Sequence, residues 1–372
     1  MVELTDMQIM RMMFPRWFFP LYNLIGLLPL KIVIPGRMKI SWPASMRSVA
    51  ILSVIYGHMA SILLTNLMSM TVTDDLKHLI MWMNQLSLQI GSAAIFLVTV
   101  VHCWLGHFTK IIANLVTTEK YFIRNKVHRK KSGEYVNKVA LGMVLYMILF
   151  LIPFQTYYIW KEYDLLYYWH MMPFYVFSII YVLFEMMLAR IVMSLAQGFQ
   201  RLNVIVELTT YEFTDGLPCH VVEEIRQTHH LLCQTVQEVN SFSEIQLLFV
   251  FGRLFINIVI DPYFILNACL KHTVIKHMGL YVVSLLGYIL TSVCQLFLLV
   301  WVSHLTTHHA ERSAFYVSRM LSFNLTCSCR KEVKQTLVQM SSSKMCLSVL
   351  SLFNIGLPLL VVVCIRVDVI QI

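Results

Sequence analysis

Apolar runs recur along this chain at residues 46–70, 79–105, 139–160, 168–195, 245–270, 278–305 and 345–365. Each is about as long as the roughly 20 helical residues that cross a hydrocarbon core of about 30 Å. Inside lipid a helix satisfies its own backbone hydrogen bonds, so the expected fold is all-α: a polytopic seven-transmembrane helical protein. Composition agrees, with 58% hydrophobic and only 13% charged residues and a mean hydropathy of +0.68, where a soluble domain carries about 25% charged residues. The apolar stretch 14–30 contains Pro15, Pro20, Pro29 and Arg16, which break a spanning helix. It has no cleavage-site pattern either and reads as an amphipathic or interfacial lead-in.

Orientation follows from Lys and Arg, which resist translocation. Arg11, Arg16, Lys31, Arg37, Lys39 and Arg47 precede or open the first run. Lys110, Lys120, Arg124, Lys126, Arg129, Lys130, Lys131 and Lys138 lie between the second and third, and Arg312, Arg319, Arg330, Lys331, Lys334 and Lys344 between the sixth and seventh. The alternate connections are short, and in two of them lysine is offset: Lys77 by Asp74 and Asp75, Lys161 by Glu162 and Asp164; the third holds Lys271 and Lys276. The N terminus is therefore expected in the cytosol and the C terminus outside, which excludes a G-protein-coupled receptor. A transporter is disfavoured because no internal repeat or pair of broken helices is visible.

The net charge of +9 is this topological signal plus attraction to anionic inner-leaflet lipid, and it requires no nucleic-acid partner. Nine cysteines without a CxxC framework call for no disulfide scaffold. Cys327 and Cys329 read as reduced loop residues rather than metal ligands, so no metal and no cofactor is expected. The sequon Asn324-Leu325-Thr326 falls on the cytosolic side and should stay unmodified.

The longest polar connection joins the fourth and fifth runs. Val192, Leu195, Phe199, Leu202 and Val206 recur at spacings of three and four, as do Val222, Ile225, His229, Leu232, Val236 and Val239, the pattern of helices that pack on one another. Asp215-Gly216-Leu217-Pro218 marks the turn. A cytosolic helical hairpin over 193–244 is expected, either self-contained or a platform for subunit contacts. The segment from His308 to Met340 is built alike, with Ala310, Ala314, Val317 and Leu321 on one face and Val333, Leu337 and Met340 on another. The expected division is a cytosolic lead-in (1–45), helices one to six (46–305), a cytosolic anchoring and oligomerisation helix (306–344) and a pore-type helix seven (345–372) on which the protein ends.

Charges inside spans cost roughly 2.5–3.5 kcal/mol each at a helix centre, so Glu185, Arg253 and Asp261 must face protein or water. Asp261 precedes Pro262, which frees the Ile258 carbonyl. Arg253 and Asp261 are separated by about 12 Å of helical rise, too far for an easy direct pair. Asp261 is the first choice for ligand contact, Arg253 and Glu185 for holding helices together. Gln295 is a further candidate, with an interhelical hydrogen bond as its other reading. A membrane haem or redox enzyme would want paired histidines, yet His58, His102 and His170 show no two on one helix at ligand spacing.

With seven spans, an inside N terminus, a helical insertion between spans four and five and a charged helix leading into a short last span, the chain resembles the insect chemoreceptors, and among them the gustatory receptors. The resemblance is carried by Leu24-Ile25-Gly26-Leu27-Leu28-Pro29-Leu30, by His309-Ala310-Glu311-Arg312 and by Ser351-Leu352-Phe353-Asn354-Ile355. The family's C-terminal signature is Thr-Tyr, five mostly apolar residues, then Gln-Phe. The matching frame here is Cys364-Ile365, Arg366 to Ile370, then Gln371-Ile372, in which Gln371 matches outright and Ile372 keeps apolar character.

The resemblance implies a plasma-membrane, ligand-gated, non-selective cation channel of sensory neurons, four subunits meeting through the cytosolic helices and each seventh span lining a central pore. Its partners would be a small-molecule tastant, sugar or bitter compound, and other chemoreceptor subunits. Cys364, Ile365, Gln371 and Ile372 occupy the pore and gate positions, where an apolar constriction gates by dewetting, and Gly356 and Pro358 offer a mid-span hinge or simply a kink. The family's pocket opens outward among the upper halves of the earlier spans. There Tyr157, Tyr158, Trp160, Tyr168 and His170 suit either a stacking site for a flat ligand or an interfacial aromatic belt. A non-conducting or partner-dependent relative is the alternative.

Overall fold

The structure, a computed structural model, describes residues 6–15, 17–34, 37–69, 76–127, 132–162, 165–212, 218–270, 278–322, 325–342, 347–349 and 353–356. The chain opens with α1 (Asp6–Met13) and α2 (Phe18–Ile25). Gly26 ends α2 with φ +82°, a left-handed cap that glycine adopts without a Cβ penalty. An antiparallel hairpin follows, β1 (Leu30–Ile34) with β2 (Arg37–Ile40).

This lead-in differs from the interfacial segment expected. Ile9, Met10, Met13, Phe14, Phe18 and Tyr22 are buried in the protein, and the Tyr22 hydroxyl donates to the Leu183 carbonyl at 2.6 Å. The proline-broken stretch is held by side-chain packing inside the bundle, because its aromatic rings find a protein groove.

Six of the apolar runs fall in helices. They are α3 (Trp42–Ser69), α4 (Leu76–Trp104), the pair α6 (Ser132–Tyr146) and α7 (Ile152–Glu162), α8 (Leu165–Glu212), α9 (Cys219–Leu270) and α10 (Met278–Met320). Between α4 and α6 lies α5 (His107–Arg124), and α11 (Cys327–Ser342) follows α10. A single π turn, Met147–Leu151, joins α6 to α7. It sits just before Pro153, whose ring would clash with the preceding turn, and the wider turn relieves that clash. Among the described residues, the stretches Ser87–Trp104, Tyr175–Thr210, Cys219–Tyr263 and Val282–Met320 are long and apolar enough to cross a membrane, with Leu141–Tyr157 a shorter apolar one.

The lengths matter. With 48, 52 and 43 residues, α8, α9 and α10 reach about 65–78 Å at 1.5 Å per residue, more than twice the hydrocarbon core. About half of each therefore projects beyond lipid, and those halves pack together with α5 and α11. Val192, Leu195, Phe199, Leu202 and Val206 of α8 are all buried, as are Val222, Ile225, His229, Leu232, Val236 and Val239 of α9. Polar side chains fix the register: Asn203 Nδ2 donates to the His309 carbonyl at 2.9 Å, and Ser313 Oγ donates to Asn203 Oδ1 at 2.6 Å. Arg201 pairs both carboxylate oxygens of buried Glu119 and lies 4.3 Å from the Phe122 ring centroid. At membrane depth α10 instead shows an exposed apolar stripe, Val283, Leu286, Leu290, Val293 and Phe297.

The expected last helix, 345–365, is corrected at its start. Residues Ser348–Val349 (β3) and Phe353–Asn354 (β4) pair as a small antiparallel hairpin. Backbone groups that a helix would need internally are taken by neighbours: Asn240 Oδ1 accepts from the Ser348 N–H at 2.9 Å, and Ser303 Oγ donates to the Ile355 carbonyl at 2.7 Å. Gly356, expected at mid-helix, lies in the bend directly after this hairpin. Pro358 and the gate positions Cys364, Ile365, Gln371 and Ile372 lie outside the described residues.

Candidate functional site

Three helices each carry a polar stripe on one face. Arg253, Asn257 and Asp261 follow one another at four-residue steps on α9; Tyr288, Ser292 and Gln295 at steps of four and three on α10; Tyr181 and Glu185 one turn apart on α8. Such spacings put side chains above one another on one side of a helix. All eight are buried, so the stripes face protein rather than lipid, as the cost of exposing charge to hydrocarbon requires.

The Arg253 guanidinium carbon lies 4.5 Å from the Tyr181 ring centroid, tying α9 to α8 by a cation–π contact of about 2 kcal/mol when desolvated. The Tyr181 hydroxyl in turn lies against Gly91 of α4, where an added Cβ would stand 1.8 Å from the hydroxyl oxygen. Asn257 Nδ2 donates to Ser292 Oγ at 3.1 Å, joining α9 to α10, and the Tyr288 hydroxyl donates to Gln155 Oε1 of α7 at 2.5 Å. Five helices thus meet at one polar seam.

The seam is not closed on itself. Arg253 is a buried cation on the same seam as the buried carboxylates Glu185 and Asp261. Yet among the described residues no ion pair within 4.0 Å joins it to either carboxylate. Both Glu185 carboxylate oxygens, Arg253 Nη1 and Gln295 Nε2 are buried without a hydrogen-bond partner. Groups of this kind normally find one, so the seam offers unmatched acceptors and donors to a small polar molecule. Among the described residues no group of three or more His, Cys, Asp or Glu is placed to hold a metal ion.

Of the residues singled out from sequence, Asp261, Arg253, Glu185 and Gln295 are brought to this seam. Tyr157 is not: it is 47% exposed, with the Lys161 ammonium 5.7 Å from its ring centroid. The side chains of Tyr158, Trp160, Tyr168 and His170 lie outside the described residues. Sequence reading passed over Tyr181, Asn257, Tyr288, Ser292 and Gly91. The first four were detectable, since each shares a helical face with a charge or amide already noted; Gly91 had no such signal.

A second arrangement links the projecting helices to the approach to the seventh run. Asn240 of α9 holds β3 through both amide atoms, its Nδ2 lying 3.2 Å from Ser348 Oγ, while the Ile355 N–H donates to the Leu347 carbonyl at 2.8 Å.

The chain matches the family model described as 7tm chemosensory receptor over residues 16–364. It is similar to the solved structure of the insect olfactory receptor OR5 from Machilis hrabei, with TM-score 0.72, 9% identity and 96% of each chain covered. It is also similar to that receptor in complex with eugenol, with TM-score 0.68, 11% identity and the same coverage. At such identities the likeness shows the fold. No curated protein sequence matches the chain.

Proposed function

The chain belongs to the 7tm chemosensory receptor family, so it is a helical seven-span membrane receptor and not an enzyme, and on that premise we propose that it is a taste-type subunit of a ligand-gated, non-selective cation channel. In this reading the N terminus is cytosolic and the C terminus extracellular, the protein sits in the plasma membrane of a sensory neuron, and the projecting halves of α8, α9 and α10 form a cytosolic bundle. The observation that carries ligand binding is the buried seam with its unpartnered Glu185, Arg253 and Gln295 atoms. Asp261 is the proposed principal contact. The ligand is a small molecule with hydroxyl or amine groups, a sugar or a bitter compound, whose polar groups replace the missing partners.

Assembly into a tetramer is supported by apolar residues exposed where lipid does not reach, Phe315 at 59% on α10 and Val338 at 68% on α11. Conduction is assigned to the seventh span, with Cys364, Ile365, Gln371 and Ile372 at its pore and gate positions and Gly356 and Pro358 at its inner approach.

Expression in cells lacking other chemoreceptors, followed by a panel of sugars and bitter compounds, is expected to give ligand-evoked cation currents. Asp261→Asn should raise the half-maximal concentration of an active ligand roughly tenfold, about 1.4 kcal/mol, without changing surface expression. Silence despite good surface expression would point instead to a partner-dependent or non-conducting relative.

A further inference from the structure

The outward side of α10 does not end where its apolar stripe does. From Phe297, steps of four, three and four lead through Trp301 to His304 and His308, so the two histidines stand on the same side of the helix. Both side chains are exposed. From Val283, the first residue of the exposed stripe, the helix rises about 31 Å to His304, close to the ~30 Å of a hydrocarbon core. The pair therefore sits where α10 leaves lipid, at the level of the headgroups.

The His304 and His308 rings have centroids 6.1 Å apart and planes 26° from parallel. Imidazoles that share one metal at about 2.0–2.1 Å per nitrogen have centroids no more than about 6.5 Å apart. A small turn of two exposed side chains thus brings one nitrogen of each to a single ion. Among the described residues no ion pair within 4.0 Å engages either ring. The backbone beneath them is fixed from the buried side: Thr306 Oγ1, midway between the two, donates to the Val192 carbonyl of α8 at 3.2 Å, and Ser303 Oγ donates to the Ile355 carbonyl at 2.7 Å. Ligands on so firmly held a helix keep their spacing. His309 is a poorer partner. Its ring lies 5.7 Å from that of His308, but it is half-buried, and successive residues point about 100° apart on a helix.

We propose that His304 and His308 form a two-point chelate site for a divalent transition-metal ion of the zinc and copper(II) class. Imidazole nitrogen suits these ions, whereas magnesium and calcium take oxygen. Among the described residues no third His, Cys, Asp or Glu completes the set, so the other positions on the ion go to water. Such a site is open and exchangeable, unlike the closed four-ligand sites that hold a fold together. A bound ion clasps the turn of α10 whose buried side holds α8 through Thr306, next to the Ser303 that holds Ile355 at the approach to the seventh run.

The full-length receptor, purified through a tag without histidine into nanodiscs of zwitterionic lipid, is titrated with copper(II) iminodiacetate and followed by electron paramagnetic resonance. That complex leaves adjacent positions that two imidazoles fill together. Saturable binding with nitrogen ligands is expected. His304→Ala and His308→Ala should each weaken the tightest copper binding by about a hundredfold, the loss of one of two linked contacts, while His309→Ala leaves it in place. Excess zinc chloride should displace this copper and excess magnesium chloride should not. Because both rings are exposed, the two variants are expected to keep the metal-free thermal midpoint, which separates lost ligation from misfolding. No bound copper in the wild type, unchanged affinity in either variant, or copper that zinc does not displace would overturn the proposal. None of these readouts requires the receptor to conduct.

Discussion

A single hydrogen at position 91 decides how closely α4 can approach the polar seam. A methyl there would collide with the Tyr181 hydroxyl, and displacing Tyr181 would also lift the ring from under Arg253. Gly91→Ala is therefore expected to destabilise the receptor by about 1–3 kcal/mol, the range for overpacking, read as a lower thermal midpoint in detergent. Adding Tyr181→Phe should recover part of the loss by removing the colliding oxygen. In the projecting bundle, His229 packs edge-on against Phe199 and beside Cys233. Burial, and secondarily neighbouring His230, lowers its pKa from 6.5 to about 4. The folded state thus holds His229 neutral where the unfolded chain would protonate it. Its contribution is fully present above about pH 6.5 and is lost as pH falls toward 4, on the order of 3 kcal/mol at about 1.4 kcal/mol per unit. Thermal midpoints measured across that window should fall more steeply in the wild type than in His229→Leu; parallel curves would show that His229 is not the group responsible.

At the scale of elements, the link between α9 and the approach to the seventh run rests on one side chain. Asn240→Ala removes both contacts to Ser348 and leaves a backbone N–H unpaired, a loss of about 1–3 kcal/mol. If this link transmits ligand binding, Asn240→Ala should weaken evoked current at saturating ligand while leaving the half-maximal concentration within about twofold, a split that recordings resolve directly. Which elements were legible in the sequence follows from what periodicity encodes. The buried faces of α8 and α9 were readable because long helices write their contacts at steps of three and four. The β3–β4 hairpin was not, since short apolar runs have no period that separates strand from helix, and its cause, Asn240, lies over a hundred residues away. The β1–β2 hairpin had a local sign in Pro35-Gly36, a turn dipeptide, which the apolar character of 14–30 overshadowed. Asp261 and Arg253 declared themselves by being charges in a span. The meeting of Arg253 with Tyr181, and of Tyr181 with Gly91, depends on how α4, α8 and α9 align, which no single helix records.

For the molecule as a whole, the lengths of α8, α9 and α10 convert topology into a measurable distance. Helix α10 runs 43 residues from Met278 to Met320, about 64 Å, more than twice the ~30 Å core, so its two ends cannot both lie on one side of a membrane that it crosses. In the topology proposed above, from the lysine and arginine bias, the Met320 end is cytosolic, where the glycosylation machinery does not act. A sequon engineered into 271–277 is therefore expected to be glycosylated, and the native Asn324-Leu325-Thr326 sequon to remain bare, seen as a mobility shift that glycosidase removes only from the engineered receptor. The reverse pattern would place α11 and the bundle outside the cell. It would also turn the polar seam's unpartnered groups toward the wrong compartment for a tastant. Because both sequons flank one continuous helix, a single blot fixes its direction, and with it the side from which a ligand reaches Asp261.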